Sequence, residues 1–124
     1  MDNLMVYVVD DDVSVRKSLE RLLLVMGFSV DCYASGREFI DSYTPSEREC
    51  LVLDMRMPDM DGLATQNALR ERGFKIPIIF ITAHEDPQAE QQALDNGAVG
   101  FLRKPFDDHT LMRAIQTVVA TTWD

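Results

Sequence analysis

Four short apolar runs along this 124-residue chain each end on residues with charged or hydroxyl side chains. The residues at these ends are Asp10 and Asp11, then Asp54, then Thr82, then Lys104 just beyond the fourth run. In a parallel sheet, the loops that leave the carboxyl ends of neighbouring strands gather at one edge, so residues far apart in sequence can meet there. The pattern therefore predicts a single site built from these five side chains.

Strand-like and helix-like segments alternate along the whole chain, which is the order typical of an α/β fold with a parallel sheet. The first run, residues 5–9, is almost continuously apolar, as expected of a strand that helices cover on both faces. We predict strands over residues 5–9, 28–33, 50–53, 78–81 and 99–102. Helices are predicted to follow each strand, the last over residues 108–119, so that the fold is a doubly wound parallel sheet.

Capping and breaking residues predict where the helices begin and end. Asp12 or Ser14 can cap the first helix, and Gly27 is placed to end it. Ser35 begins a capping-box spacing for a short second helix, which we expect Thr44-Pro45 to end.

The predicted fourth helix begins favourably but offers few apolar side chains. Asp86 can cap it and Pro87 suits its first position. Its candidates for burial are Ala89, Ala93 and Leu94. We therefore expect this helix to be comparatively mobile.

Length and charge limit the classes of protein to consider. With 124 residues, 46% of them hydrophobic, the chain suits one packed domain, and we assign residues 1–124 to it. Twelve basic and 21 acidic residues give a formal net charge of -9, which would repel a phosphate backbone. We therefore expect no direct nucleic-acid binding by this domain.

The sequence also indicates the cellular compartment. The apolar run at residues 4–9 ends at Asp10, which makes it too short for a signal peptide or a membrane span. Cys32 and Cys50 lack the spacing of a zinc site or the density of a disulfide scaffold, and are expected to be reduced residues within the core. We expect a cytoplasmic protein without membrane contact.

The predicted site has a composition suited to phosphoryl chemistry. Asp10, Asp11 and Asp54 would oppose one another's ionisation unless a cation neutralised them. Magnesium is the natural candidate, since it binds through one or two carboxylates and retains water or phosphate ligands. A carboxylate can be a nucleophile toward phosphorus, while Lys104 and Thr82 offer partners for phosphoryl oxygens.

Four sequence segments carry a family resemblance: VVDDD at residues 8–12, LDMRMPDMDG at 53–62, ITAH at 81–84 and FLRKPF at 101–106. In this order and spacing, the chain resembles the receiver domain of two-component response regulators. In detail, it is most similar to receivers of the nitrogen-fixation and LuxR-type (FixJ-like) regulator group. The resemblance covers essentially the whole chain and implies a flavodoxin-like, CheY-like sheet of five strands in the order 2-1-3-4-5, with five helices.

The resemblance implies a role for each residue of the site. Asp54 would accept a phosphoryl group from a phosphohistidine of a sensor histidine kinase. Asp11 and Asp54 would bind Mg²⁺ directly, Asp10 would assist through water, and the backbone carbonyl of Arg56 would complete the protein ligands. Lys104 would contact the phosphoryl group.

The resemblance also implies a switch. Thr82 would move toward the phosphoryl group, and Phe101 would turn inward and repack the surface of the fourth helix, fifth strand and fifth helix. Because Phe101 has no hydroxyl, packing alone would decide between its two positions. That surface forms dimer contacts in relatives, so a homodimer on phosphorylation is expected, and a cis peptide is expected at Lys104-Pro105.

Three other functions compete with this interpretation. A phosphatase or phosphotransferase would want a second acid two residues after the nucleophile, where this chain has Arg56. A flavodoxin-like binding domain would want a phosphate loop rich in glycine or hydroxyl groups after the first strand, where residues 10–12 are aspartates. A degenerate receiver without the chemistry would not need all of the site residues.

The resemblance leaves several properties open. Arg56 and His84 lie two residues after Asp54 and Thr82, where side chains affect the lifetime of the phosphorylated form, although we expect His84 itself to be solvated. Glu85 stands where close relatives often carry glycine. The partner kinase, the stimulus and the regulated genes are open, and the chain could be an excised receiver or a stand-alone regulator.

Overall fold

The computed structural model describes residues 4–122, with side chains through residue 120. Within these described residues, five strands alternate with five helices. They are β1 Met5–Val9, α1 Val13–Val25, β2 Ser29–Tyr33, α2 Gly36–Ser42, β3 Glu49–Asp54, α3 Gly62–Glu71, β4 Ile78–Thr82, α4 Pro87–Asp95, β5 Gly100–Arg103 and α5 Asp108–Thr122. All strand pairs are parallel and the sheet order is β2-β1-β3-β4-β5, which confirms the predicted α/β fold.

Two apolar clusters cover the two faces of the sheet. Alternate residues of β3 point to opposite faces, so that Leu51 and Leu53 pack in one cluster while Cys50 and Val52 pack in the other. The first cluster includes side chains of α2, α3 and α4, and the second includes side chains of α1 and α5. Burial on both faces explains the nearly continuous apolar sequence of the central strands.

The capping prediction for α1 is confirmed, and α2 ends close to the predicted Thr44-Pro45 breaker. Asp12 is the N-cap of α1, and its carboxylate accepts a hydrogen bond from the backbone N–H of Ser14. Helix α2 ends at Ser42, before the predicted Thr44-Pro45, because Tyr43 already has extended backbone angles. The Tyr43 hydroxyl donates to the buried carboxylate of Glu49.

Strand limits differ by one residue from the predicted ones in several places. Asp54 is the last residue of β3 and Thr82 the last of β4, so both lie within the hydrogen-bonded sheet and not in the loops that follow. Strand β5 begins at Gly100 instead of residue 99 and continues to Arg103. Asp54 and Thr82 are therefore held by strand pairing, which fixes their backbone more firmly than a loop would.

Helix α4 has a thin apolar contact with the rest of the domain. Asp86 caps it and Pro87 begins it, as predicted. Ala93 is buried, but Leu94 is 41% exposed and does not supply the expected anchor. Gln66 of α3 donates a side-chain hydrogen bond of 3.0 Å to the carbonyl of Ala93. The mobility of α4 stays a prediction.

Two further expectations concern the cysteines and the membrane. Cys50 is buried and Cys32 is half-buried, and both are free thiols. Over the described residues, the longest helices lack the length and apolar character that a bilayer crossing requires.

Candidate functional site

The carboxyl edge of the sheet brings together three carboxylates that are far apart in sequence. Asp10 and Asp11 follow β1, Asp54 ends β3, and one ligand oxygen from each lies within 4.8 Å of those of the other two. Asp10 and Asp54 are buried, whereas Asp11 is exposed. The predicted gathering of these side chains is confirmed by the geometry.

Asp10 is held by hydrogen bonds on every polar atom. Its Oδ1 accepts from the backbone N–H of Asp12 at 2.9 Å, and its Oδ2 accepts from Nζ of Lys104 at 2.9 Å. Its own backbone N–H donates to the carbonyl of Tyr33 at 3.2 Å. The Arg16 guanidinium donates to the carbonyl of Asp10 at 2.7 Å. A buried carboxylate needs such partners, since burial without them is costly.

Sequence reasoning missed the contribution of Arg16. The residue lies at the fourth position of α1, near the positive end of the helix dipole, where a cation is unfavourable. That misplaced charge was the available signal, because it indicates a specific partner. The structure supplies the partner as the carbonyl of Asp10.

Lys104 connects two of the carboxylates. Its Nζ lies 2.9 Å from Asp10 Oδ2 and 3.7 Å from Asp54 Oδ1. Burial works to lower the pKa of Lys104, but the hydrogen bond and the charge of Asp10, together with the charge of Asp54, raise it overall. The Lys104-Pro105 peptide is cis, as predicted, and the Lys104 backbone N–H donates to the carbonyl of Thr82.

Asp54 has a strongly perturbed acidity. Burial and, to a smaller extent, the charge of Asp10 raise its pKa to about 7, although Lys104 opposes the shift. Two like charges in a partly desolvated site resist simultaneous ionisation. When all three carboxylates and Lys104 are ionised, the cluster carries an excess of negative charge that a divalent cation would neutralise. Its oxygen donors suit a hard cation such as Mg²⁺.

Gly62 allows α3 to begin close to the end of β3. Its N–H donates to the carbonyl of Met55 at 2.9 Å. A Cβ at this position would lie 2.7 Å from the carbonyl oxygen of Asp54 and 2.8 Å from Cα of Met55. Only a residue without a side chain fits there, so this glycine sets the backbone position of Asp54.

Thr82 lies on the strand next to Asp54. Asp54 pairs with Ile81 in the β3–β4 register, which places Thr82 one residue further along β4. The side chain of Thr82 is buried, and its Oγ1 accepts from the backbone N–H of His84 at 3.1 Å. The hydroxyl therefore contacts the β4–α4 loop, residues 83–86.

Phe101, on β5, packs partly against the apolar cluster on one face of the sheet. It is half-buried against the cluster that includes Phe80, and the two ring centroids are 6.1 Å apart. Strand pairing places Phe80 opposite Phe101. This arrangement is one position of the side chain, and its role as a switch stays a prediction.

Arg56 contacts the site through its backbone and a neighbouring loop through its side chain. Its N–H donates to Asp54 Oδ1 at 3.4 Å. Its guanidinium forms an ion pair of 3.6 Å with Asp86, the cap of α4. This pair could not be predicted from local patterns, because 30 positions separate its members and each occupies a loop.

These features define a class of protein. It is a doubly wound α/β domain with an acidic site at the carboxyl edge of its sheet, where three carboxylates could hold a cation and a lysine pairs with two of them. Comparison with known proteins identifies the family. The response regulator receiver domain family matches residues 6–116, and the chain belongs to this family. It is thus a receiver domain of two-component response regulators, as the sequence resemblance predicted.

Individual relatives agree with this assignment. The transcriptional regulatory protein TdiR of Thauera aromatica is 44% identical over 115 residues, which cover 93% of this chain and 51% of TdiR. Nodulation protein W of Bradyrhizobium diazoefficiens is 44% identical over 119 residues, covering 96% of this chain and 52% of that protein. The chain therefore spans about half the length of the curated relatives it matches.

Solved structures confirm the fold. The crystal structure of FixJ-N superposes with a TM-score of 0.90 at 35% identity, covering 100% of this chain and 99% of that one. The response regulator StyR superposes with a TM-score of 0.87 at 43% identity, covering 94% of this chain and 59% of StyR. The similarity to FixJ-N supports the FixJ-like grouping.

Proposed function

We propose that this receiver accepts a phosphoryl group on Asp54 from a phosphohistidine of a sensor histidine kinase, in a reaction that requires Mg²⁺. The observation that carries the proposal is the contact of Lys104 with both Asp10 and Asp54 inside a three-carboxylate cluster. This arrangement holds a nucleophile, a cation-binding group and a phosphoryl-binding charge in one place. On this proposal the domain is a signalling switch that assists its own phosphorylation and dephosphorylation, and not an enzyme with an external substrate.

The transfer would begin with attack of a carboxylate oxygen of Asp54 on phosphorus. The new O–P bond forms as the P–N bond of phosphohistidine breaks, and the departing imidazole keeps the electron pair. Asp54 must be ionised to attack, and its contact with Lys104 favours that form. Hydrolysis reverses the state when water attacks phosphorus, the acyl O–P bond breaks and the carboxylate returns.

The residues that would hold Mg²⁺ are Asp11 and Asp54 directly, Asp10 through water, and Arg56 through its backbone carbonyl. The donor set fits, because the three carboxylates lie within 4.8 Å and their excess negative charge needs neutralising. A bound Mg²⁺ would supply positive charge that screens the repulsion between the carboxylate and the phosphoryl oxygens.

Lys104 and Thr82 would respond to the attached phosphoryl group. Lys104 Nζ, already 3.7 Å from Asp54, would donate to one phosphoryl oxygen. Thr82 would give up its contact with His84 and donate its hydroxyl to another. Phe101 would then turn inward and change the exposed surface of α4, β5 and α5.

The changed surface would control an output. We propose a homodimer formed through α4, β5 and α5 on phosphorylation, and control of transcription through a DNA-binding domain outside residues 1–124. TdiR is named a transcriptional regulatory protein and is about twice as long as this chain, which supports an output of that kind. The net charge of -9 argues against DNA contact by the receiver itself.

Intact-mass spectrometry after incubation with acetyl phosphate and Mg²⁺ tests the proposal. The wild type should gain one phosphoryl adduct, which disappears in Asp54→Asn and with a chelator. Asp41→Asn, an exposed carboxylate outside the site, is the matched control and should keep the adduct. If no adduct forms and beryllofluoride does not bind, the domain is a degenerate receiver that acts through protein contacts alone.

A further inference from the structure

Two ion pairs hold the β4–α4 loop from opposite sides. Arg56 lies 3.6 Å from Asp86, and Arg103 lies 3.8 Å from Glu85. This loop joins Thr82, at the end of β4, to the first turn of α4. A displacement of Thr82 therefore has to be accommodated in a segment that both arginines restrain.

The Arg56–Asp86 pair differs from the Arg103–Glu85 pair because Arg56 also contacts Asp54, the proposed phosphoryl acceptor. The backbone N–H of Arg56 donates to Asp54 Oδ1, whereas its guanidinium contacts Asp86 Oδ2. The other oxygen of Asp86 accepts from the backbone N–H of Ala89 and caps α4. Asp86 thus uses one oxygen for the helix and the other for an arginine anchored at the site.

We propose that Asp86 is a positioning residue. Before phosphorylation, its ion pair holds the Arg56 guanidinium away from the position that the phosphoryl group will occupy, and attachment of that group to Asp54 draws the guanidinium off Asp86. The inference rests on the proposed function, since it concerns the same acceptor. Attachment replaces one negative charge on Asp54 by about two, with additional acceptor oxygens. A guanidinium prefers such oxygens, which it can bind in pairs.

The exchange needs little energy because the resting pair is weak. The side chains of Arg56 and Asp86 are 52% and 41% exposed, and ion pairs in water contribute modestly. Arg56 would leave Asp86 for the phosphoryl group without any covalent change. Asp86 would keep its cap of α4, and the β4–α4 loop would lose its restraint on the β3 side while Thr82 moves.

Beryllofluoride with Mg²⁺ is the probe, since it mimics the attached phosphoryl group without turnover. Its affinity is measured by ¹⁹F NMR titration for the wild type, Asp86→Asn, Arg56→Gln and the double variant. Asn caps helices as well as Asp does, so Asp86→Asn removes the charge and keeps the cap. We expect this variant to bind about threefold more tightly, the ratio that an exposed ion pair can supply.

The double variant decides whether Asp86 acts through Arg56. In the Arg56→Gln background, Asp86→Asn should leave the affinity unchanged, because the restrained group is absent. Raising the KCl concentration should also reduce the difference between wild type and Asp86→Asn, since salt weakens exposed ion pairs. Asp86→Ser, which also caps without charge, should repeat the gain if Asp86→Asn folds poorly in a thermal unfolding control.

Glu85→Gln is the matched control. It removes one negative charge from the same loop, but from a residue that pairs with Arg103 and not with Arg56. Its affinity for beryllofluoride should equal that of the wild type. The inference is overturned if Asp86→Asn binds like the wild type, if its gain persists without Arg56, or if Glu85→Gln gains as much. Failure of every variant and of the wild type to bind would instead refute the proposed function, which separates the two results.

Discussion

Lys104 and Asp10, 94 residues apart in sequence, form a hydrogen-bonded ion pair of 2.9 Å at the carboxyl edge of the sheet. Asp10 is fully buried, whereas the Lys104 side chain is 22% exposed. Lys104 therefore serves the fold as well as the proposed chemistry, since it pairs with a carboxylate that is buried in the folded domain.

Lys104→Met should destabilise the domain and remove phosphoryl acceptance. Loss of the lysine leaves the buried Asp10 carboxylate without its cation. Because the lysine is partly exposed, we expect the free energy of unfolding to fall by only about 2 kcal/mol. Urea denaturation without Mg²⁺ measures this loss, and Lys104→Arg should retain most of the stability because it keeps the charge. A Lys104→Met variant as stable as the wild type would contradict the role given to this pair.

Asp54 should make stability depend on pH near neutrality when Mg²⁺ is absent. Its pKa is raised to about 7 in the folded domain from 3.8, so the folded state binds the proton more tightly than the unfolded state. Stability should therefore rise as the pH falls from 8 toward 4, by at most about 1.4 kcal/mol per pH unit. Urea denaturation across this range measures the slope.

Asp54→Asn is the control for the pH prediction, because it removes the titrating group and should flatten the profile between pH 4 and 7. Saturating Mg²⁺ should flatten it in the wild type as well, since the cation favours the carboxylate. Equal slopes for wild type and Asp54→Asn in chelator would show that another group titrates.

Gly62→Ala should distort the acceptor strand. The added Cβ would meet backbone atoms of Asp54 and Met55 at less than 3 Å, and backbone cannot move aside as a side chain can. We expect a loss of about 2–3 kcal/mol in the free energy of unfolding and a slower appearance of the phosphoryl adduct. Gly100→Ala is the matched control, because its Cβ would meet only the Ile79 side chain at 3.4 Å.

Arg16→Met should weaken the acidic loop after β1. The lost hydrogen bond to the Asp10 carbonyl leaves a partly buried acceptor unpaired, which costs about 1–2 kcal/mol. Thermal and urea denaturation measure this effect. Arg21→Met on the same helix, at an exposed position, should change stability by less than about 0.5 kcal/mol.

Amides of α4 should exchange with solvent faster than those of α5. Ala93 is the buried apolar residue of α4, whereas Leu111, Ile115 and Val118 of α5 are all buried. Hydrogen-exchange mass spectrometry compares the two helices, and Gln66→Ala should increase the difference by removing the hydrogen bond to Ala93. Equal protection of both helices would contradict the predicted mobility of α4.

The sheet and the gathering of the site could be predicted from the sequence. Hydrophobic periodicity marks each strand, and parallel topology brings the carboxyl ends of neighbouring strands to one edge. Asp10, Asp54 and Lys104 were identified as site residues because each lies at or just after the end of a predicted strand. The end of α2 lies within two residues of the predicted Thr44-Pro45 breaker, since Tyr43 before it is the C-cap. The partner of Arg16 was missed although its charge near the start of α1 was a signal, whereas the partner of Arg56 lies in a distant loop and leaves no local signal.

The separation of Lys104 from Asp10 has a consequence for a chain that is still being synthesised. The first acidic residues leave the ribosome long before the lysine, and β5 is the edge strand that joins the sheet through β4. Until then Asp10 and Asp54 would face each other without their shared ammonium group. A nascent chain thus lacks the complete acidic site until β5 has joined the sheet.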